Sequence, residues 1–430
     1  MPLVALTILA IGLIGAILNA GWSLALCFVL FPLQQLLWSS VGLFLDFRTL
    51  PNYLVAIAVT FGAIRRSARS TESLACTVNA TSVGSLGLYA WAALTLMWTP
   101  SFESGSMIVN QGFPYVILII IVMPLAAESI DVIAYFRRGL VLMGAAILLA
   151  IIVSPAFTFW SGRLVFQFSS ESRTNPLALG ELGGLLLLAS ILSPPKTMAA
   201  AGLVTRAAVA LVGVLAMLQS GSRGQVIGAL AIGILAVPLA RPVKSIPRLV
   251  GYLILGAVIV ALVPIVAQLS LSDQALARWA SGDLAGASEG RLANILDALS
   301  AFGGAPMAWI PGLGANAFTS VTTAASEGYV HNLTAELLVE YGVVGFGIFL
   351  MLLTYALRDI RYLFDRMKAD PERRANLALL TAALAFELFI AQKQGNLWGN
   401  IMIFGLMCII ARIRRLSERE LGAVNYLDSI

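Results

Sequence analysis

Apolar stretches close to the thickness of a bilayer recur along the whole chain. They lie at 2–20, 22–44, 50–64, 80–97, 113–127, 139–157, 176–193, 199–218, 224–240, 249–270, 332–356, 375–392 and 397–411. A helix needs roughly 20 apolar residues to cross the hydrocarbon core. The composition agrees with spans of this kind. Of the residues, 59% are hydrophobic and 11% charged, where a soluble domain carries roughly a quarter charged residues. Inside a membrane every backbone N–H and C=O must find a protein partner, so only helices and closed barrels span. The alternating segments of a barrel are not seen. The expected fold is all-α: a polytopic transmembrane bundle of roughly 12 helices. One long outer loop interrupts it. The chain then divides into N-terminal spans at 1–270, the loop at 271–330, and C-terminal spans with a short tail at 331–430.

Charge orients the spans. Basic clusters occur at Arg65-Arg66 with Arg69, Arg137-Arg138, Lys196, Arg241 to Arg248, Arg358 to Arg374 and Arg412 to Arg419. Short cytoplasmic loops collect Lys and Arg. Placing these clusters inside puts 98–112, 158–175, 219–223, 271–330 and 393–396 outside, and the C-terminal tail inside. The first apolar stretch has no basic residues before it and continues into further spans, so it reads as a retained helix, not a cleaved signal peptide. The inside bias accounts for the net charge of +5. Without interleaved aromatics these clusters give no support to nucleic-acid binding. Cys27, Cys76 and Cys408 are scattered and suggest neither a disulfide frame nor a metal site.

The outer face carries the chemistry. The loop at 271–330 is far longer than an ordinary connection, and loops of that length usually carry function. Residues Gly290 to Leu299 have apolar side chains at helical spacing and predict a short amphipathic helix near the membrane surface. A Gly/Pro-rich turn follows at Pro311-Gly312-Leu313-Gly314-Ala315-Asn316. The loop ends at His331, the single histidine of the chain, at the mouth of the span at 332–356. An imidazole is suited to proton transfer near neutral pH, and it is also an ordinary residue at a membrane boundary.

A second polar turn, Gln219-Ser220-Gly221-Ser222-Arg223-Gly224, sits between two abutting spans. An arginine there is costly unless paired, which makes it a functional candidate against the plainer reading of a snorkelling side chain. Gln392-Lys393-Gln394-Gly395-Asn396 forms a third. Together Arg163, Arg173, Arg223, Arg278, Arg291 and Lys393 crowd the face that should be poor in basic residues. They suggest an anionic ligand, since the guanidinium fork matches phosphate oxygens. No Asp-x-Asp occurs, so no carboxylate site for a divalent metal is apparent and no cofactor is expected. The outer acids Asp273, Asp283, Glu289 and Glu327 are dispersed and read as solvated loop residues. Glu336 and Glu340 lie early in the span after His331, and on a helical wheel neither faces the imidazole. Either is expected to pair with a buried arginine such as Arg223.

In this order, Ser220-Gly221-Ser222-Arg223-Gly224, Gly290-Arg291-Leu292 with its Gly/Pro turn, and His331-Asn332-Leu333 running into Glu336-Leu337-Leu338 and Tyr341-Gly342-Val343-Val344-Gly345 resemble the O-antigen ligase and polymerase superfamily. The likeness covers roughly residues 170–360. It departs at Ile295, where members often have an aromatic residue. The resemblance implies a membrane glycosyltransferase of the bacterial inner membrane with its site facing the periplasm. The donor would be an undecaprenyl-diphosphate-linked oligosaccharide. The acceptor would be a lipid-linked glycan or lipid A-core. Arg223 and Arg291 would hold the diphosphate, and His331 would act on the acceptor hydroxyl as base or orienting group. Transfer would be metal-independent and inverting. Ser222, Asn332, Arg278, Lys393 and Glu336 are the further substrate-binding candidates. Polymerase, ligase and protein O-glycosylation remain open as enzyme readings, with polymerase placed first. A lipid-glycan flippase is the alternative of another class, but it would place its charges at mid-membrane depth.

Overall fold

The computed structural model describes residues 1–68, 75–169, 172–194, 200–242, 282–321 and 330–427, with isolated positions between 245 and 276. Among these, eight helices are long and apolar enough to cross a membrane: Ala20–Ser40, Ala80–Met97, Phe102–Leu125, Val132–Val153, Ala201–Gln219, Arg223–Ala240, Leu333–Arg366 and Pro371–Ala391. Pro2–Leu18 and Leu177–Ile191 are apolar but shorter. Leu50–Ser67 is a helix that carries two arginines, and Ile401–Leu427 one that carries four. Each expected span thus falls on a helix except 249–270, which lies largely outside the described residues. The protein is a polytopic helical membrane protein.

Some charges sit deeper than the sequence suggests. Arg137, expected in an inner basic cluster ahead of its span, lies within Val132–Val153 and is buried, donating to Asn376 Oδ1 at 3.0 Å. Arg412 is fully buried and bonds the Thr77 hydroxyl. A buried charge needs such polar partners, and a basic cluster marks a helix end only loosely.

The chain divides into two compact units that interleave along the sequence. The first comprises Met1–Arg69, Ala126–Ala280 and Leu363–Phe386; the second comprises Ser70–Leu125, Ser281–Tyr362 and Glu387–Ile430. At the centre of the first, Ala20–Ser40 packs on Pro2–Leu18, Leu50–Ser67 and Val132–Val153. It starts where Asn19 turns extended (φ −135°, ψ 130°) and its side chain accepts from the N–H groups of Gly21 and Trp22. That cap is why two abutting apolar runs form separate helices. Leu177–Ile191 crosses Ala200–Gln219 at a glycine pair. A Cβ on Gly183 would stand 2.5 Å from the Gly213 oxygen, and one on Gly213 would stand 2.5 Å from the Gly183 oxygen. Small residues of this kind let membrane helices approach closely.

The first unit also holds a short hairpin within 158–175, a stretch expected to be an outer loop. Thr158–Trp160 pairs antiparallel with Arg163–Val165. Ser161 and Gly162 turn the chain at φ 49° and 70°, the doubly positive geometry of a tight hairpin. Strands of three residues are too short to stand out by periodicity.

The second unit is organised around a broken helix. The span expected at 332–356 is not one uninterrupted helix. Within Leu333–Arg366, Gly342 takes φ 67°, ψ −169°. The break takes the carbonyls of Val339 and Glu340, and the N–H groups of Val343 and Val344, out of the helical pattern. Loop residues 309–314 replace every one of those bonds. Leu313 N–H donates to Val339 O at 2.9 Å and Gly314 N–H to Glu340 O at 2.9 Å, while Trp309 O and Ile310 O accept from Val343 and Val344 at 2.9 and 3.3 Å. Trp91 Nε1 donates to Tyr341 O at 2.9 Å. Irregular backbone at membrane depth is tolerated only when satisfied in this way. The fit requires glycine on both sides: a Cβ on Gly312 would lie 2.1 Å from Glu340 O, and one on Gly342 would lie 2.2 Å from Ile310 O.

Candidate functional site

The Gly/Pro turn is held as a rigid shelf. Trp98 Nε1 donates to Gly312 O at 3.0 Å, Thr99 Oγ1 to Ala315 O at 2.8 Å, and Ala315 N–H to Thr95 Oγ1 at 3.0 Å. Asn316, at φ 58°, donates its side-chain amide to Ser104 Oγ at 2.8 Å. Below it lies Glu340, buried at 3% exposure. Its carboxylate accepts from the N–H of Asn316 at 2.8 Å and of Phe318 at 3.3 Å. Glu336, at 2% exposure, accepts from Leu397 N–H at 3.0 and 3.2 Å.

The sequence reading expected an arginine partner for these glutamates. Backbone amides take that role, because irregular loops bring N–H groups that no regular ladder satisfies. Glu336, a candidate for substrate binding, thereby also fixes the segment that follows Lys393. Glu340→Ala is expected to orphan two buried amides at about 1–3 kcal/mol each. It should lower the thermal midpoint of the purified protein markedly, and Glu340→Gln should recover part of the loss.

The loop helix runs Gly282–Gly303, longer than the expected 290–299 at both ends. Its inward stripe is clear. Ala298 is fully buried with Phe318, Val330, Ala335 and Val339, and Ile295, Phe302 and Leu313 pack against that cluster. Ile295, the position where the superfamily often has an aromatic residue, therefore packs against the loop's own core. Leu292 and Leu296 are exposed on the other side, as a helix lying on a membrane surface requires. Arg291 is half-buried on the inward stripe, one turn before Ile295.

His331 stands between two anchors. Val330 is fully buried in the cluster just described. Asn332 caps the following helix, its Oδ1 accepting from Ala335 N–H at 2.9 Å. His331 itself is half-buried and takes φ 61°, a left-handed conformation that costs about 1–2 kcal/mol for a residue with a side chain. The helical-wheel placement of Glu336 and Glu340 relative to it does not apply, since His331 precedes the helix and is not helical.

Asn332 does a second thing: its Nδ2 donates to Gln392 O at 3.3 Å, and Thr334 Oγ1 donates to Gln392 Oε1 at 2.8 Å. The next residue is Lys393, whose ammonium lies 5.4 Å from the Phe389 ring centre. Burial, and then the nearby Arg291 guanidinium, hold Lys393 below the usual lysine pKa. The second unit thus sets Asn332, beside His331, against the turn that carries Lys393, with the Arg291 charge acting on Lys393. Two cations held together in this way form a place where an anion is stabilised.

Arg223 and Ser222 belong to the first unit. Gly221 takes φ 65° and Ser222 N–H donates to Ser220 Oγ at 3.3 Å. Ser222 is buried, and Arg223 is the first residue of Arg223–Ala240 and half-buried. Gln225 Nε2 ties this turn to Leu177 O at 2.9 Å. Arg278, Asp273 and Glu327 lie outside the described residues, while Glu289 is exposed. Thr95, Thr99, Ser104 and Glu340, which hold the shelf, carry no motif in sequence; only the neighbouring Gly312-Leu313-Gly314 run marks it. No group of three or more His, Cys, Asp or Glu side chains arranged for a metal occurs among the described residues.

Residues 207–350 match the O-antigen ligase family, which supports the O-antigen ligase/polymerase superfamily. Arg223, Arg291 and His331 all fall inside the matched segment. No curated protein matches the chain.

Proposed function

We propose that this chain, whose residues 207–350 carry the superfamily match, is a membrane glycosyltransferase working at the periplasmic face of the bacterial inner membrane. It moves a glycan from undecaprenyl diphosphate to an acceptor sugar hydroxyl, with a second carrier-linked glycan as acceptor, as a polymerase does. One observation carries the reading: Asn332, next to His331, donates to Gln392 O, next to Lys393, at 3.3 Å, and the Arg291 charge acts on that same Lys393.

The chemistry follows from the groups present. The acceptor oxygen forms a bond to the anomeric carbon as the bond from that carbon to the diphosphate oxygen breaks. The hydroxyl proton passes to His331. The leaving diphosphate gains negative charge, which Arg291 and Lys393 stabilise; Arg223 is a donor-binding candidate on the resemblance alone. Each such preorganised donor is worth roughly a factor of 10²–10³ in rate. Because a diphosphate is already a good leaving group, no general acid is called for. Asn332 and Glu336 position this machinery and do not touch the reacting atoms. Attack from the face opposite the leaving group inverts the anomeric centre.

Reconstituted liposomes test the proposal. Purified protein would receive undecaprenyl-diphosphate-linked repeat units in the presence of EDTA, with Arg223→Gln and Arg291→Gln run beside it. A ladder of longer lipid-linked glycans from the unmodified chain, lost in both variants, is the expected result. Transfer appearing only when lipid A-core is added makes the protein a ligase. Labelled carrier crossing the bilayer with no transfer to either acceptor makes it a flippase and overturns the enzyme reading.

A further inference from the structure

The hairpin of the first unit encloses a cavity of about 260 Å³ that the proposed transfer does not use. It is lined by Trp160, Ser161, Arg163, Val165, Arg173 and Pro176. Two guanidiniums share it, and its lining includes no acid among the described residues. The Arg173 guanidinium lies over the Trp160 ring, 3.4 Å from its centre. Such stacking holds the planar fork by its face and leaves the N–H edge to point at a ligand.

The cavity rests on a built floor. Strand pairing sets Trp160 opposite Arg163, and an isolated bridge joins Gln167 to Arg173. Along the adjoining segment aromatic rings pack in series: Phe157 on Phe166 at 6.0 Å, Phe166 on Phe168 at 5.2 Å, and Trp38 on Phe168 at 5.3 Å. Arg48 stacks on Phe168 at 4.2 Å, and Gln35 Nε2 donates to Asn175 O at 2.8 Å. Phe166 and Thr174 exchange two hydrogen bonds of 2.9 Å each. Both arginine-bearing segments are therefore fixed before any ligand arrives, which is how a site lowers the entropic cost of binding.

Size and chemistry narrow the ligand. The volume falls just under the roughly 300 Å³ at which pockets for drug-sized molecules begin, so it suits a single ring and not an extended chain. Two guanidinium forks suit the planar oxygens of a carboxylate. Trp160, 40% exposed, adds the flat amphipathic surface that apolar ring faces pack on.

We propose that this cavity binds one acidic sugar residue, its carboxylate on Arg163 and Arg173 and its ring beside Trp160. Only the source of that sugar, a glycan being processed, rests on the transferase reading. Saturation-transfer NMR on the full chain in phosphatidylcholine nanodiscs tests the binding itself, with galacturonate and galactose as direct probes and inorganic phosphate as a competitor against galacturonate. Galacturonate should bind about tenfold more tightly than galactose, a difference of about 1.4 kcal/mol. Arg163→Gln and Arg173→Gln should each remove about that advantage. Arg173→Lys, which keeps the charge but not the fork, should weaken binding too, and it serves where the glutamine variant fails to fold. Equal binding of galactose and galacturonate, or variants that bind galacturonate as the parent does, would overturn the inference. Phosphate binding as tightly as galacturonate would overturn it as well, in favour of a phosphate or lipid headgroup site. A chain inactive in the liposome assay that still selects galacturonate would keep this site and lose only the transferase reading.

Discussion

Gly342→Val is expected to be the most damaging single substitution in the second unit, preventing recovery of folded protein or lowering its thermal midpoint by many degrees. Gly342 sits at φ 67°, ψ −169°, a region only glycine enters freely, where other residues lose about 1–3 kcal/mol. Sterics add to that, since even a Cβ would lie 2.2 Å from Ile310 O and 2.4 Å from Gly312 N. Relieving the clash pulls residues 309–314 off the helix break. The carbonyls of Val339 and Glu340 and the N–H groups of Val343 and Val344 then lose their partners, each at a further cost of about 1–3 kcal/mol. Thermal unfolding in detergent would report the loss. Gly347→Val is the matched control on the same helix, where a Cβ meets nothing within 4 Å. Equal stability of the two variants would show that the interlock does not hold the unit together.

His331→Asn is expected to lower glycan transfer by about 10²–10⁴-fold, the range that a positioned general base contributes, while leaving the thermal midpoint close to that of the unmodified chain. The choice of asparagine separates chemistry from backbone. His331 takes φ 61°, and asparagine is among the few residues that tolerate this conformation. Asparagine can still hydrogen-bond the acceptor hydroxyl, but it takes up no proton. A loss as large as that of His331→Ala identifies the imidazole as the base. Transfer near the unmodified rate would instead make His331 an orienting group. The Val330 and Asn332 anchors should keep the segment in place in either case.

The matched segment 207–350 contains Arg223, Arg291 and His331, while Lys393 lies beyond it. Arg223, Arg291 and His331 stand out in the sequence because each breaks a strong local expectation: a cation or an imidazole where apolar spans meet the expected outer face. The helix at Gly290 to Leu299 was legible from its spacing, and its buried stripe at Asn294 and Ala298 follows that spacing. What holds these residues was not legible. Glu340 reads as a glutamate near a helix start, suited to the positive helix end. Its actual partners, the amides of Asn316 and Phe318, come from a loop whose path no periodicity encodes. The hydrogen bond from Asn332 to Gln392, next to Lys393, likewise joins positions 60 apart in the chain.

By itself, then, the sequence determined that this chain is a membrane bundle, where most of its spans lie, and which polar residues stand out against them. Those are one-dimensional consequences of transfer free energy: apolar length and the cost of a charge in lipid are read residue by residue. Only the tertiary structure decided that the span after His331 breaks at Gly342, that loop amides take up the buried glutamates, and that residues 158–165 pair as a hairpin. Each of these settles where backbone groups freed from regular helix find partners, and that depends on which distant segment arrives within about 3 Å.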